Sequence, residues 1–227
     1  MSLLLFDIDG TLLLSGGAGV RAMTKTFQTL FGVSDAFQGI SIGGNTDTFL
    51  LSTALARANL PDTADLHARF RNAYLPVLEQ EIQQPGSGRH GLMPGVEQLL
   101  AALNGHETFH LALLTGNYEP AAQIKLAHFG LAQYFSWGTF GEESADRDDL
   151  GRIAMTRARE RRVPSPALER AVVIGDTPHD IACARAAGVR ILAVATGFYS
   201  VDELIASGAD VALPDLTDTA CVLEILR

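Results

Sequence analysis

The chain reads as an α/β protein: a mostly parallel sheet covered by helices on both faces, with an all-helical segment inserted after the first strand. Three observations predict this. Short apolar runs recur along the chain, the stretches between them have helical periodicity, and one long stretch near the N-terminus has helical patterns and no convincing strand.

Taken in order, Leu3-Leu4-Leu5 is a continuous apolar run of the kind that forms a strand buried on both faces. From about Gly19 to Gln84 the pattern is helical throughout, over Val20 to Leu30, Thr46 to Ala58 and Thr63 to Gln83. Gly32, Gly39, Gly43-Gly44 and Pro61 punctuate these helices. Gln84-Pro85-Gly86-Ser87-Gly88 has linker composition. The expected division is a core of residues 1–15 and 90–227 and a helical cap of residues 16–89, with the cap's two connections flanking the first strand's end. An insertion of that size at that place suits a mobile lid.

The strand-helix rhythm then resumes. Pro94 to Leu100 opens a helix with Pro near its first turn, and Leu111 to Leu114 is a second strand. A helix from about Pro120 to Gly130 offers Ile124, Leu126, Ala127 and Phe129 for burial. Ser136 to Phe140 is expected as a third strand, Ala171 to Ile174 as a fourth, then Ile191 to Val194 and Val211 to Leu213. A helix from Asp180 to Ala187 is closed by Gly188 as its C-cap.

Composition excludes several function classes. With 227 residues and 47% hydrophobic residues the chain can bury one full core and a small second lobe. A net charge of -9 argues against nucleic acid as a partner, because that affinity comes from clustered Lys and Arg. Arg157, Arg159, Arg161 and Arg162 form the one basic cluster, and a solvated helix end accounts for it. No apolar run approaches the roughly 20 residues needed to cross a bilayer, so no membrane is expected. The N-terminus has no signal-peptide pattern. Cys183 and Cys221 lack metal-ligand spacing and read as small buried apolar residues of a protein in the reducing cytoplasm.

The chemistry gathers at strand ends. Phe6-Asp7-Ile8-Asp9-Gly10-Thr11 places two carboxylates, a Gly and a hydroxyl after the first strand, where open α/β sheets bind ligands. Asp7 and Asp9 share a face if the strand stays regular, and side-by-side acids repel unless a cation or a shared proton separates them. An acidic turn before a helix N-cap explains the same residues without chemistry. The second strand ends in Thr115-Gly116-Asn117, an O–H donor beside approachable backbone N–H groups, which suits phosphate oxygens. The fourth ends in Gly175-Asp176-Thr177-Pro178-His179-Asp180. Asp180 is open to a helix-capping role, and His179 reads as an exposed turn residue. Asp176, a carboxylate after a buried strand, needs a partner, and hard oxygen ligands in this arrangement suit Mg²⁺. Arg147 follows the third strand and is equally readable as a bidentate phosphate ligand or as a loop ion pair with Asp146, Asp148 or Asp149.

The combination Asp-x-Asp-Gly-Thr, Thr-Gly-Asn and Gly-Asp-x-x-x-Asp, in that order and with the helical insertion after the first motif, resembles the haloacid dehalogenase-like hydrolase superfamily. Within it the chain looks most like the phosphoglycolate phosphatase and β-phosphoglucomutase branch. The resemblance spans essentially the whole chain and implies a Rossmann-like three-layer sandwich with a small helical cap. It further implies that Asp7 is the nucleophile and Asp9 the general acid/base, and that Gly10, Thr115, Gly116 and Asn117 hold the phosphoryl group. Mg²⁺ would be bound by the Asp7 carboxylate, the Asp9 backbone carbonyl and Asp176, with Asp180 orienting water or the metal's surroundings. Relatives usually carry a Lys in the third motif; neither Lys25 nor Lys125 lies there, which leaves Arg147 as the candidate cation. The implied activity is a Mg²⁺-dependent phosphatase acting on a small phosphorylated metabolite, as a monomer or homodimer. The alternatives are a mutase of the β-phosphoglucomutase type and a non-catalytic binding module. Cap residues set specificity in such proteins, and the candidates are Arg21 with Asn45 and Thr46 in the turn Gly43 to Asp47; a plain turn and N-cap explains that turn equally well.

Overall fold

The computed structural model describes every residue except Pro85 and Ser87, so those two positions of the expected linker lie outside the described residues. The elements run β1 (Ser2–Phe6), β2 (Leu13–Ser15), α1 (Ala18–Phe31), α2 (Asp47–Arg57), α3 (Ala64–Glu81), β3 (His90–Leu92), α4 (Val96–Leu103), β4 (Phe109–Leu114) and α5 (Glu119–His128). They continue through a 3₁₀ turn to β5 (Gly138–Thr139), α6 (Arg147–Glu160), α7 (Ser165–Glu169), β6 (Val172–Gly175), α8 (Pro178–Ala187), β7 (Arg190–Val194), α9 (Val201–Ala206), β8 (Val211–Leu213) and α10 (Thr219–Leu226).

Six strands form one parallel sheet in the order β5-β4-β1-β6-β7-β8. The chain builds outward from β1 on one side through β4 and β5, then crosses to the other side through β6, β7 and β8. That reversal opens a crevice at the carboxyl ends of β4, β1 and β6. Alternation along β1 shows the three layers directly: Leu4 and Phe6 join an apolar cluster with helices α4, α5 and α10, while Leu3 and Leu5 join the opposite cluster with α6 and α8.

Helices α1 to α3 form the helical cap, with an apolar cluster of their own built on Phe27, Phe37, Leu50, Leu55, Phe70 and Tyr74; Tyr118 and Ala121 of the core complete it. Its aromatic rings lie close together, as at Phe27–Phe37, which meet edge to face with centroids 5.6 Å apart. A feature absent from the sequence reading joins the cap to the core: β2 and β3, two three-residue strands, pair antiparallel across the insertion with Leu13 opposite Leu92 and Ser15 opposite His90. Strands that short carry too little periodicity to be read alone.

Several local expectations are corrected. Pro94 precedes its helix, and Gly95, in the left-handed region, is the N-cap. On α5 the buried residues are Ala121, Ala122, Lys125 and Leu126, whereas Ala127 is exposed. Cys183 is buried but Cys221 is exposed. Arg157 is ion-paired with Glu143 and donates to the Gly138 carbonyl, which makes it part of the α6–β5 packing and not a free helix-end charge. No helix of the described residues is long and apolar enough to cross a membrane.

Candidate active site

Three adjacent strands deliver the acids and the hydroxyl to one crevice. Asp7 directly follows β1, and its N–H still donates to the Ile174 carbonyl of β6 at 3.0 Å. Thr115 directly follows β4, with its N–H bonded to Thr139 of β5 at 3.1 Å. Asp176 directly follows β6. After Asp7 the chain turns sharply: the N–H groups of Thr11, Leu12 and Leu13 all converge on the Ile8 carbonyl. Gly10 makes this turn possible, with φ of 90° and with no room for a side chain, since a Cβ would lie 2.3 Å from Asp176 Oδ2.

Asp7, Asp176 and Asp180 are buried, and one carboxylate oxygen from each lies within 4.8 Å of the others. Burial pushes the Asp7 carboxyl up to about 6; Arg147 opposes the rise, and Asp180 and Asp9 add to it. Asp176 is held well above the usual carboxylate range by burial and by Asp180 and Asp7, against the Thr11 hydroxyl and Arg147. Thr11 Oγ1 donates to Asp176 Oδ1 at 3.0 Å.

Arg147 is the first residue of α6, whose N-cap is Asp146. Its guanidinium is buried, contacts Asp180 closely and reaches Asp7 Oδ1 at 3.0 Å. Burial works against its charge, but Asp180 and Asp7 keep it protonated. The loop ion pair with Asp146, Asp148 or Asp149 is therefore not formed; Asp146 caps α6 by accepting from the Asp148 N–H, and Asp149 pairs with Arg152. Asp180 occupies the third position of α8 and closes a capping box with Thr177, which is the N-cap itself. Both Asp180 oxygens are thereby engaged, one by Thr177 and one by Arg147.

The donor set fits a divalent cation. Three buried acids face one guanidinium, which leaves net negative charge in a place where charge is costly. Among the described residues Asp7 Oδ2 and Asp176 Oδ2 accept no hydrogen bond, so each has an oxygen to offer. Hard oxygen ligands without Cys or His suit Mg²⁺ better than a transition metal.

Sequence reasoning missed Lys125. Its side chain, 5% exposed, crosses from α5 and places Nζ 2.5 Å from Asp9 Oδ2 and 2.6 Å from Asn117 Oδ1. Asn117 Nδ2 donates to the same Asp9 oxygen at 2.8 Å and to Thr115 Oγ1 at 2.8 Å. Asp9 is thus held through one oxygen, and its Oδ1 is unpartnered among the described residues. A signal was present: Lys125 lies on the helix face of Ala121 and Ala122, and a lone lysine on a buried face needs an acid to meet.

The cap closes over these groups. The N-terminus of α2 is pinned to the loops after β4 and β5: Asp47 N–H donates to the Gly116 carbonyl at 2.7 Å, Thr48 Oγ1 to Gly141 at 2.6 Å and Thr46 Oγ1 to Ala145 at 3.0 Å. Gly116 permits the approach, since a Cβ there would lie 2.3 Å from the Asn45 carbonyl. In return Asp47 Oδ2 accepts the Tyr118 N–H at 2.8 Å. Asp47 is buried and its carboxyl is pushed up to about 7 by burial, with Lys125 and the Tyr118 N–H opposing and Asp9 and Glu142 reinforcing.

The cavity between cap and core measures about 660 Å³, and Asp7, Asp9, Gly10, Thr115, Gly116, Asn117, Arg147 and Asp176 all line it. Of the three cap candidates, Asn45 lines the cavity, but its amide donates to the Ser41 carbonyl. Thr46 does not reach the cavity; it is fully buried as the N-cap of α2. Arg21 borders the cavity with its guanidinium already committed to Glu81 and the Gly16 carbonyl, a brace between the two ends of the insertion. His179 is exposed, at the foot of the cap turn around Gly44.

A family model described as haloacid dehalogenase-like hydrolase matches residues 1–188. A phosphoglycolate phosphatase of Vibrio vulnificus (strain YJ016) is 27% identical over 226 residues, covering 99% of this chain and 97% of its own. A glycerol-1-phosphate phosphohydrolase 2 of Saccharomyces cerevisiae is 28% identical over 212 residues, covering 91% of this chain and 79% of its own. Among solved structures, CbbY from Rhodobacter sphaeroides in complex with phosphate superposes with a TM-score of 0.71 at 23% identity, covering 96% of each chain.

Proposed function

Since the chain belongs to the haloacid dehalogenase-like hydrolases, we propose that it is a Mg²⁺-dependent phosphatase of a small phosphorylated metabolite, working through an aspartyl-phosphate on Asp7. Residues 1–15 and 90–227 are the catalytic core in this reading, and residues 16–89 are the cap that covers it. The observation that carries the proposal is the convergence of Asp7, Asp176 and Asp180, from segments far apart in the chain, onto one buried point.

Asp7 and Asp176 carboxylates and the Asp9 backbone carbonyl would hold the cation, which supplies Lewis-acid neutralisation of a phosphoryl oxygen beside the attacking carboxylate. The rest is work for the chain's own side chains. Arg147 opposes the burial that raises the Asp7 carboxyl, favouring the ionised form that attacks. An Asp7 oxygen bonds to phosphorus as the phosphorus–alcohol bond breaks, and the free oxygen of Asp9 delivers a proton to the departing alkoxide. Asp9, now a carboxylate, takes a proton from water as the water attacks phosphorus. The bond to Asp7 then breaks and inorganic phosphate leaves. Thr115 Oγ1 accepts two bonds from Asn117, so its own proton is available to a phosphoryl oxygen, beside the backbone N–H groups at Gly10 and Gly116. Asp180 anchors Arg147, and the docked α2 excludes bulk water.

The names of the relatives supply two leaving-group classes, an alcohol bearing a carboxylate and a neutral polyol. A mutase would share every step up to the aspartyl-phosphate and differ only in returning the phosphoryl group to a sugar. The test is hydrolysis of p-nitrophenyl phosphate with Mg²⁺ and with a chelator, in the natural chain and in Asp7→Asn. Activity lost in both the chelated and the substituted protein is expected; full activity in Asp7→Asn would refute the assignment.

A further inference from the structure

The cavity is two-sided in its chemistry. Next to the strand ends lie the acids, Thr115 and Asn117; away from them the wall is apolar, formed by Leu14, Val20, Met23, Ile42, Leu50 and Phe198. Phe198, on the loop after β7, is 91% exposed at the cavity border, an open aromatic surface.

The cations around this space are already occupied. Arg147 is held by Asp7 and Asp180, Lys125 by Asp9 and Asn117, and Arg21 by Glu81 and the Gly16 carbonyl. Arg89 remains, and it is exposed and borders the cavity from the linker side. Among the described residues two carboxylate oxygens are unengaged, Asp9 Oδ1 and Asp47 Oδ1, the latter an acceptor once Asp47 ionises above about 7 while its Oδ2 holds Tyr118; Arg147 Nε is unpartnered but sealed away from solvent. A carboxylate placed one carbon beyond the phosphoryl ester oxygen would face these acids with no inner cation among the described residues left unpaired to answer it, after giving up its water. A neutral alcohol would instead bury its carbon against the apolar wall and donate a hydroxyl or amide N–H to Asp47.

From this we infer that the substrate is a phosphate monoester of an uncharged alcohol with an apolar portion, and that the cavity discriminates against a leaving group carrying a carboxylate. The inference rests on the phosphatase reading and narrows it.

A matched pair tests it. Phosphoglycolate and its neutral amide, phosphoglycolamide, differ only in the charge of the leaving group; n-butyl phosphate adds an apolar body, and p-nitrophenyl phosphate reports the phosphatase chemistry itself. With the full chain and Mg²⁺ at pH 8, where Asp47 is ionised, kcat/KM for the amide should exceed that for phosphoglycolate by about tenfold or more, with butyl phosphate also above phosphoglycolate. Val20→Lys, which puts a cation on the apolar wall, should narrow the amide-to-carboxylate ratio several-fold. If p-nitrophenyl phosphate is hydrolysed in an Asp7-dependent manner while phosphoglycolate equals or exceeds its amide, the leaving-group inference is overturned and the phosphatase reading stands. Absence of Asp7-dependent turnover for all four esters removes both.

Discussion

Asp47 makes a quantitative prediction about stability and pH. Its carboxyl ionises near 3.8 in an unfolded chain but holds its proton to about 7 in the folded one, because burial outweighs the help of Lys125 and the Tyr118 N–H. Folding therefore favours the protonated form. Stability owed to this group is complete below the unfolded value and is lost progressively as pH rises toward about 7. The full difference corresponds to about 4 kcal/mol, of which about 2–3 kcal/mol falls between pH 5 and pH 8. Asp47→Asn removes the titration and retains an oxygen for Tyr118. In urea unfolding with a chelator present, the stability of Asp47→Asn relative to the natural chain should thus improve by about 2–3 kcal/mol between those two pH values. Comparing the two pH values cancels any fixed cost of the substitution, and the titrations of Asp7 and Asp176 occur in both proteins. A difference that stays constant across the range would refute the claim that Asp47 is buried without sufficient compensation.

Two further substitutions probe the site. Lys125→Met should lower kcat for p-nitrophenyl phosphate by about 10²-fold with KM little changed, since Asp9 loses the ammonium that fixes its free oxygen. Its stability cost should stay near 1 kcal/mol, below the 3–5 kcal/mol typical of a broken buried pair, because Asp9 is 37% exposed and rehydrates; steady-state kinetics and urea unfolding measure the two effects, and an unchanged kcat would sink the positioning role. Gly10→Ala forces a Cβ to within 2.3 Å of Asp176 Oδ2 at a φ of 90°. It should cost at least about 1–2 kcal/mol in backbone strain alone and weaken Mg²⁺ activation by displacing Asp176, read from a Mg²⁺ titration of the rate.

Much of the site was legible because its residues follow strands. A parallel strand buried on both faces is a nearly continuous apolar run, so Leu3 to Leu5, Leu111 to Leu114 and Ala171 to Ile174 mark their own carboxyl ends. Whatever polar residues come next are delivered to the crevice. Asp7, Thr115 and Asp176 were found in this way. Arg147 was only half legible: its type suggested an anion partner, but three neighbouring acids competed for it in sequence. Folding settled the choice by making Asp146 a helix cap and turning the guanidinium inward to Asp7 and Asp180.

By itself the sequence determined the fold class, the helical insertion and which strand ends bear acids, since each follows from short-range patterning of apolar and polar residues. Tertiary structure alone decided that Lys125 meets Asp9, that Thr46 caps α2 and Arg21 pairs with Glu81, and that Asp47 lies buried beside the cavity. Those outcomes depend on which charges are brought together out of water after packing. Burial, which turns a carboxylate into a cost and a lysine into a clamp, is a property of the packed chain and not of local spacing.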